Sequence, residues 1–85
     1  MNLEEVFREK SVKVKTFTQK PSDEQLLKLY ALFKQSTEGN CIKDEPSIFD
    51  YKEYYKYVEW KKLEGMSKEN AMKNYINLVD RLNLT

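Results

Sequence analysis

Tyr30, Phe33 and Lys34 stand at positions i, i+3 and i+4, and Lys56 and Trp60 at i and i+4. On helices these spacings put each set on one face, rings beside an ammonium group. Ammonium groups hold phosphate through charge-assisted hydrogen bonds and rings stack on planar bases, so the chemistry on offer is recognition of a phosphorylated, ring-bearing ligand. The plainer interpretation makes the same residues the edge of a core, with polar tips in water and lysine stems along the rings. Against that stands the density of tyrosine: Tyr51, Tyr54, Tyr55, Tyr57 and Trp60 fall within ten residues. They occupy several faces of one helix, so some rings are expected in solvent near Lys52 and Lys56, available for stacking.

Catalysis lacks its parts. The chain has no histidine, no serine or cysteine with an evident activating base, and no glycine-rich phosphate loop. A metal site is not expected either, because the single Cys41 and the absence of histidine leave no ordinary zinc set and no intramolecular disulfide. Fifteen Lys and Arg against 14 Asp and Glu give a net charge of +1, so no global field draws the protein to nucleic acid or to an anionic membrane. Any bound anion must be held locally. A DNA-reading helix-turn-helix would need a basic recognition helix, which this mixture of acids and bases does not offer.

Several elements must position these residues. Apolar residues recur with a helical period, and only two glycines and two prolines interrupt it, so the expected class is all-α. The first helix runs from about Leu3 to Thr16, with Leu3, Val6, Phe7, Val14 and Phe17 near one stripe and a polar notch at Lys10 and Ser11. Ser22 and Gln25 form a capping-box signature for the second helix, which carries more apolar surface than one narrow stripe needs and ends at Gly39. Asn40 to Asp50 reads as a long loop. The third helix spans about Tyr51 to Leu63 and stops by Gly65. Ser67 caps the fourth, whose Ala71, Met72, Tyr75, Ile76, Val79 and Leu82 follow the 3/4 spacing. A four-helix bundle forming a single domain, residues 1–85, is the natural architecture. The longest strictly apolar run, Leu29 to Phe33, is far too short to span a bilayer, and the acidic start Met1-Asn2-Leu3-Glu4-Glu5 is unlike a targeting segment. These features lead us to expect a cytoplasmic protein with no integral membrane association.

Three stretches carry a resemblance: LYALFKQSTEGN (Leu29 to Asn40), YKYVEWKKLEGMSKENAMKNYINLV (Tyr55 to Val79), and Pro46 and Asp50 between them. The chain resembles the acyl-CoA-binding protein family from about Phe7 to Leu82. The resemblance implies an up-down-down-up four-helix bundle with a shallow bowl for acyl-CoA. It assigns Tyr30, Lys34 and Lys56 to the ribose 3′-phosphate, Lys15 to the ligand-facing end of helix one, Tyr75 to the adenine region and Leu26 and Leu27 to the acyl end. Phe33, where many relatives have tyrosine, keeps a ring for stacking but loses a hydroxyl, and Tyr57 replaces a common tryptophan. Lys10 stands where relatives usually place a small residue; it either lines the bowl and meets a phosphate, or narrows the acyl path.

The implied function is a reversible intracellular carrier and pool former for long-chain acyl-CoA in lipid metabolism. It requires no cofactor and no metal, acts as a monomer and passes its ligand to acyl-CoA-using enzymes. The alternative is a helical interaction module that has lost or reduced ligand binding; Tyr30, Lys34, Lys56 and Tyr75 all being present argues against that loss. Met66, Ala71, Met72 and Trp60 are expected in packing, and Cys41 is expected to be incidental.

Overall fold

Asn2 opens the first helix by accepting a hydrogen bond from the Glu5 N–H at 2.9 Å through its side-chain oxygen. The computed structural model, which describes residues 1–83, shows α1 over Leu3–Lys13 and a tighter 3-10 turn over Val14–Thr16. Three further helices follow: α2 over Asp23–Glu38, α3 over Tyr51–Lys61 and α4 over Lys68–Asn83. The caps expected at α2 and α4 are both present, whereas Asp50, before α3, makes no side-chain cap. Ser22 Oγ accepts from Gln25 N–H at 3.2 Å while Gln25 Oε1 accepts from Ser22 N–H at 2.9 Å, a complete capping box. Ser67 Oγ likewise accepts from Asn70 N–H at 3.0 Å. Gly39 ends α2 with φ +82°, a left-handed conformation that a side chain would strain. Among the described residues there is no strand.

The principal helix pairs are α2 with α4, α2 with α3, and α1 with α4. Cross-helix contacts fix their directions. Lys56 lies over Tyr30 and Trp60 bonds to Gln35, so later residues of α3 meet later residues of α2 and the two helices run the same way. Phe7 meets Tyr75 and Lys10 meets Asp80, so α1 and α4 are also parallel to each other. Phe33 meets Tyr75 near the middle of α4, whereas Gln35, further along α2, reaches Met66 just before α4 begins; these two helices are therefore antiparallel. The bundle is thus up-down-down-up, as the family resemblance implies. Two successive parallel helices require a connection that returns the length of α2, roughly 24 Å for its 16 residues. That is the physical reason for the long loop between Gly39 and Tyr51.

Burial is divided between two small clusters on either side of α2. Phe7, Leu29, Tyr75, Leu78 and Val79 join α1, α2 and α4; Ala31, Cys41 and Trp60 join α2, α3 and the crossing loop. Ala71 is fully buried and Met72 packs against the first cluster, in line with their helical spacing. Cys41, expected to have no chemical role, is a core residue at 1% exposure. Its place in a loop gave no periodicity from which burial could be inferred. The Lys10 Nζ lies 2.6 Å from Asp80 Oδ1, clamping α1 to α4.

A buried polar network locks one end of the α2–α3 pair. Gln35, with no exposed surface, donates from Nε2 to Asn40 Oδ1 at 3.0 Å and to the Met66 carbonyl at 2.8 Å. Its Oε1 accepts from Trp60 Nε1–H at 3.1 Å, which also donates to the Gly39 carbonyl at 2.9 Å. Asn40 Oδ1 accepts in addition from Gly65 N–H at 2.9 Å. No buried side-chain N or O among the described residues is left without a partner, as a polar group in a small core requires.

Candidate functional site

Parallel packing of α2 on α3 brings two lysine-aromatic pairs side by side in register. Lys56 Nζ lies 5.2 Å from the Tyr30 ring centroid, and Lys34 Nζ lies 5.5 Å from that of Trp60. Each lysine therefore reaches across to the ring on the opposite helix, within cation-π range. Each is also held by a carboxylate: Lys34 by Glu38 at 2.5 Å and Lys56 by Glu53 at 3.6 Å. The hydrogen bond from Lys34 to Glu38 raises the lysine pKa above its usual value, outweighing the opposing effect of partial burial. Lys34 is consequently cationic at any neutral pH, and the charge it offers is already partly committed.

Two adjoining depressions open beside these pairs and share Leu26 and Tyr30 as a ridge. The first, about 620 Å³, lies among the end of α1, the connection to α2, and the faces of α2 and α4 that carry Phe33 and Tyr75. Lys15 and Lys20 also line it. The second, about 530 Å³, lies between the starts of α2 and α3, where Leu26 and Leu27 face Tyr51 and Tyr55 beside Lys52 and Lys56. Both volumes suit an organic ligand. Rings grade from buried to open across the first: Phe7 stacks on Phe33 at 5.6 Å, Tyr75 meets Phe7 edge-on at 5.0 Å, and Phe33 is 40% exposed. Phe33 thus presents a free surface, while Tyr75, 4% exposed, forms the floor. Burial pushes the Tyr75 phenol above its usual pKa. The folded state therefore keeps it neutral, and stability that is intact below about pH 10 is lost as pH rises through the raised value.

Seven of the eight expected residues line this double depression: Lys15, Leu26, Leu27, Tyr30, Phe33, Lys56 and Tyr75. Lys34 lines neither part; it sits one turn beyond Tyr30, bonded to Glu38 and lying over Trp60. Lys10 also lies outside both. Trp60, 4% exposed, belongs to the core as expected. Sequence reasoning passed over Lys20 and Pro21, because the connection between α1 and α2 has no period that would orient them, and it took Ser11, on α1, only as part of a polar notch. Tyr51 and Tyr55 were foreseeable: they and the adjacent Lys52 and Lys56 repeat at i, i+4 on α3. A larger groove of about 1100 Å³ follows the other face of α2, past Gln25, Lys28 and Leu32, but no aromatic ring lines it. It offers nothing for a base to stack on.

The arrangement therefore combines cations set on rings, an exposed ring over an aromatic floor, and an apolar trough. Residues 4–79 match the family described as acyl CoA binding protein. The chain is 47% identical to the acyl-CoA-binding protein of Saccharomyces cerevisiae over 78 residues, covering 92% of this chain and 90% of the relative. The acyl-CoA-binding protein of Dictyostelium discoideum is 45% identical over 76 residues, covering 89% and 90% respectively. The crystal structure of Oryza sativa acyl-CoA-binding protein 2 superimposes with a TM-score of 0.90 at 45% identity, covering 94% of this chain and 87% of that one.

Proposed function

Because the chain belongs to the acyl-CoA-binding protein family, we propose that its double depression binds long-chain acyl-CoA reversibly, making the protein a carrier and pool former for these esters. The observation that carries this reading is the sharing of Leu26 and Tyr30 between a ring-and-cation depression and an apolar one. CoA presents a 3′-phosphate, a pyrophosphate and an adenine at one end of the ester, and a hydrocarbon tail at the other. Lys56 and Lys34 serve the 3′-phosphate with Tyr30, Phe33 and Tyr75 hold the adenine, Lys15 faces the head group, and Leu26 and Leu27 receive the tail. Each charge-assisted hydrogen bond contributes about 1.5–3 kcal/mol. Stacking adds about 1–3 kcal/mol, and each methylene fully withdrawn from water up to about 0.8 kcal/mol.

The protein acts by binding, without catalysis, as a monomeric single domain that hands its ligand to acyl-CoA-using enzymes. We place it in the cytoplasm, where a free thiol such as that of Cys41 persists. Calorimetric titration with palmitoyl-CoA is expected to show one tight site and much weaker binding of free CoA. No heat at micromolar concentrations from a folded sample would end this reading.

Glu38 competes with phosphate for Lys34 in this scheme. Glu38→Gln is expected to strengthen binding of free CoA by about 2–5-fold, the worth of an exposed ion pair. Weaker binding of CoA by that variant would show instead that Glu38 holds Lys34 in a productive position.

A further inference from the structure

Ser11 stands one turn after Phe7 on α1, at the i+4 position that shares its face. Phe7 packs on Phe33 and Tyr75, with ring centroids 5.6 Å and 5.0 Å apart, and this register brings the half-buried Ser11 into the wall of the same depression. Its hydroxyl proton is already committed. Ser11 Oγ lies 2.7 Å from the Arg8 carbonyl, which can only accept, so the serine donates inside α1 and its oxygen keeps only lone pairs for a ligand. The other polar side chains of this wall differ. Lys15 and Lys20 offer protons alone, and the hydroxyls of Tyr30 and Tyr75 turn to suit either kind of partner. Phe33, the exposed ring, has no polar atom. Among the described side chains lining the depression, Ser11 is therefore the one fixed as an acceptor.

We propose that Ser11 is a base-selecting residue, whose Oγ accepts a hydrogen bond from the 6-amino group of an adenine stacked on Phe33 and so favours adenine over 6-oxo purines. The proposal rests on the carrier reading, which supplies the base and its place on Phe33. Stacking by itself does not discriminate, because every base has a π face. Selection has to come from an edge. A 6-oxo purine such as hypoxanthine turns a carbonyl oxygen toward Ser11 Oγ, and two acceptors then face one another with no proton between them. The adenine amine supplies that proton without disturbing the bond from Ser11 to the Arg8 carbonyl. Because α1 fixes the direction of the serine proton, the hydroxyl cannot turn to donate to the wrong base.

The test is calorimetric titration of wild type and Ser11→Ala with dodecanoyl-CoA and with the same ester carrying hypoxanthine in place of adenine. Alanine is the best helix former, so the substitution suits α1, and circular dichroism checks that the variant folds. Wild type is expected to bind the adenine ester about 5–20-fold more tightly than the hypoxanthine ester. In Ser11→Ala that preference should fall below about 2-fold, mainly through weaker binding of the adenine ester. Equal binding of the two esters by wild type would overturn the proposal. The same preference in both proteins would overturn it too, by moving the reading of the amine to another group. An equal loss of affinity for both esters in the variant would make Ser11 a packing contact and not a selector. Failure of the folded wild type to bind either ester would end the carrier reading itself, and the base selection with it.

Discussion

Replacing both Lys34 and Lys56 by alanine is expected to weaken binding of free CoA and palmitoyl-CoA by the same factor, about 30–1000-fold, or roughly 2–4 kcal/mol. Two charge-assisted bonds at full strength would total about 3–6 kcal/mol. The discount arises because the lysine side chains are 31% and 40% exposed and each gives up a carboxylate, Glu38 or Glu53, to reach the phosphate. Equality between the two ligands is the informative part. The lesion lies at the head group, so the difference between free CoA and its ester, which reports the trough of Leu26 and Leu27, should survive unchanged. The variant should also show a shallower dependence on ionic strength. Calorimetry on both ligands at two salt concentrations checks this, and an unchanged affinity for free CoA would displace the phosphate from these lysines.

Trp60→Ala should be the most destabilising single substitution, at about 3–5 kcal/mol. It empties the second core cluster, and it removes the donor to both Gln35 Oε1 and the Gly39 carbonyl. A domain of 85 residues is stabilised by about 4–13 kcal/mol in total. The loss should therefore appear as a fall of about 15–30 °C in Tm, read from thermal melts by circular dichroism. Trp60→Phe keeps most of the ring but not the N–H, so it isolates the unpaired acceptors, and a smaller fall of about 1–2 kcal/mol is expected. A drop of only a few degrees for the alanine variant would mean that the Gln35 network, rather than the indole, anchors that end of the bundle.

The capping box at Ser22 and Gln25, the stop at Gly39 and the cap at Ser67 were legible because each depends on residues within four positions of one another. The tertiary partners of polar residues were not. Nothing local announces that Lys10 meets Asp80 seventy residues later, or that Gln35 turns inward to the Met66 carbonyl and the Trp60 indole. Cys41 is buried because the loop must cross the bundle, a demand of topology that leaves no periodic mark. The site followed the same division. Spacing placed Tyr30 and Phe33, and Lys56 and Trp60, on their faces, but the head-to-head exchange of lysines and rings requires knowing that α2 and α3 are parallel. Lys34's position outside the depressions depends on which of its neighbours it bonds to, and sequence spacing offered both.

The pairing of α1 with α4 has a kinetic consequence. Phe7 touches Tyr75 and Lys10 touches Asp80, so this helix pair closes a loop of nearly the entire chain. An up-and-down bundle can zip from hairpin to neighbouring hairpin, whereas this one must bring its first and last helices together while the middle of the chain is still searching. Its average contact is therefore distant in sequence for a protein made only of helices. Folding on the millisecond scale, rather than in microseconds, follows from the order in which its four helices are connected.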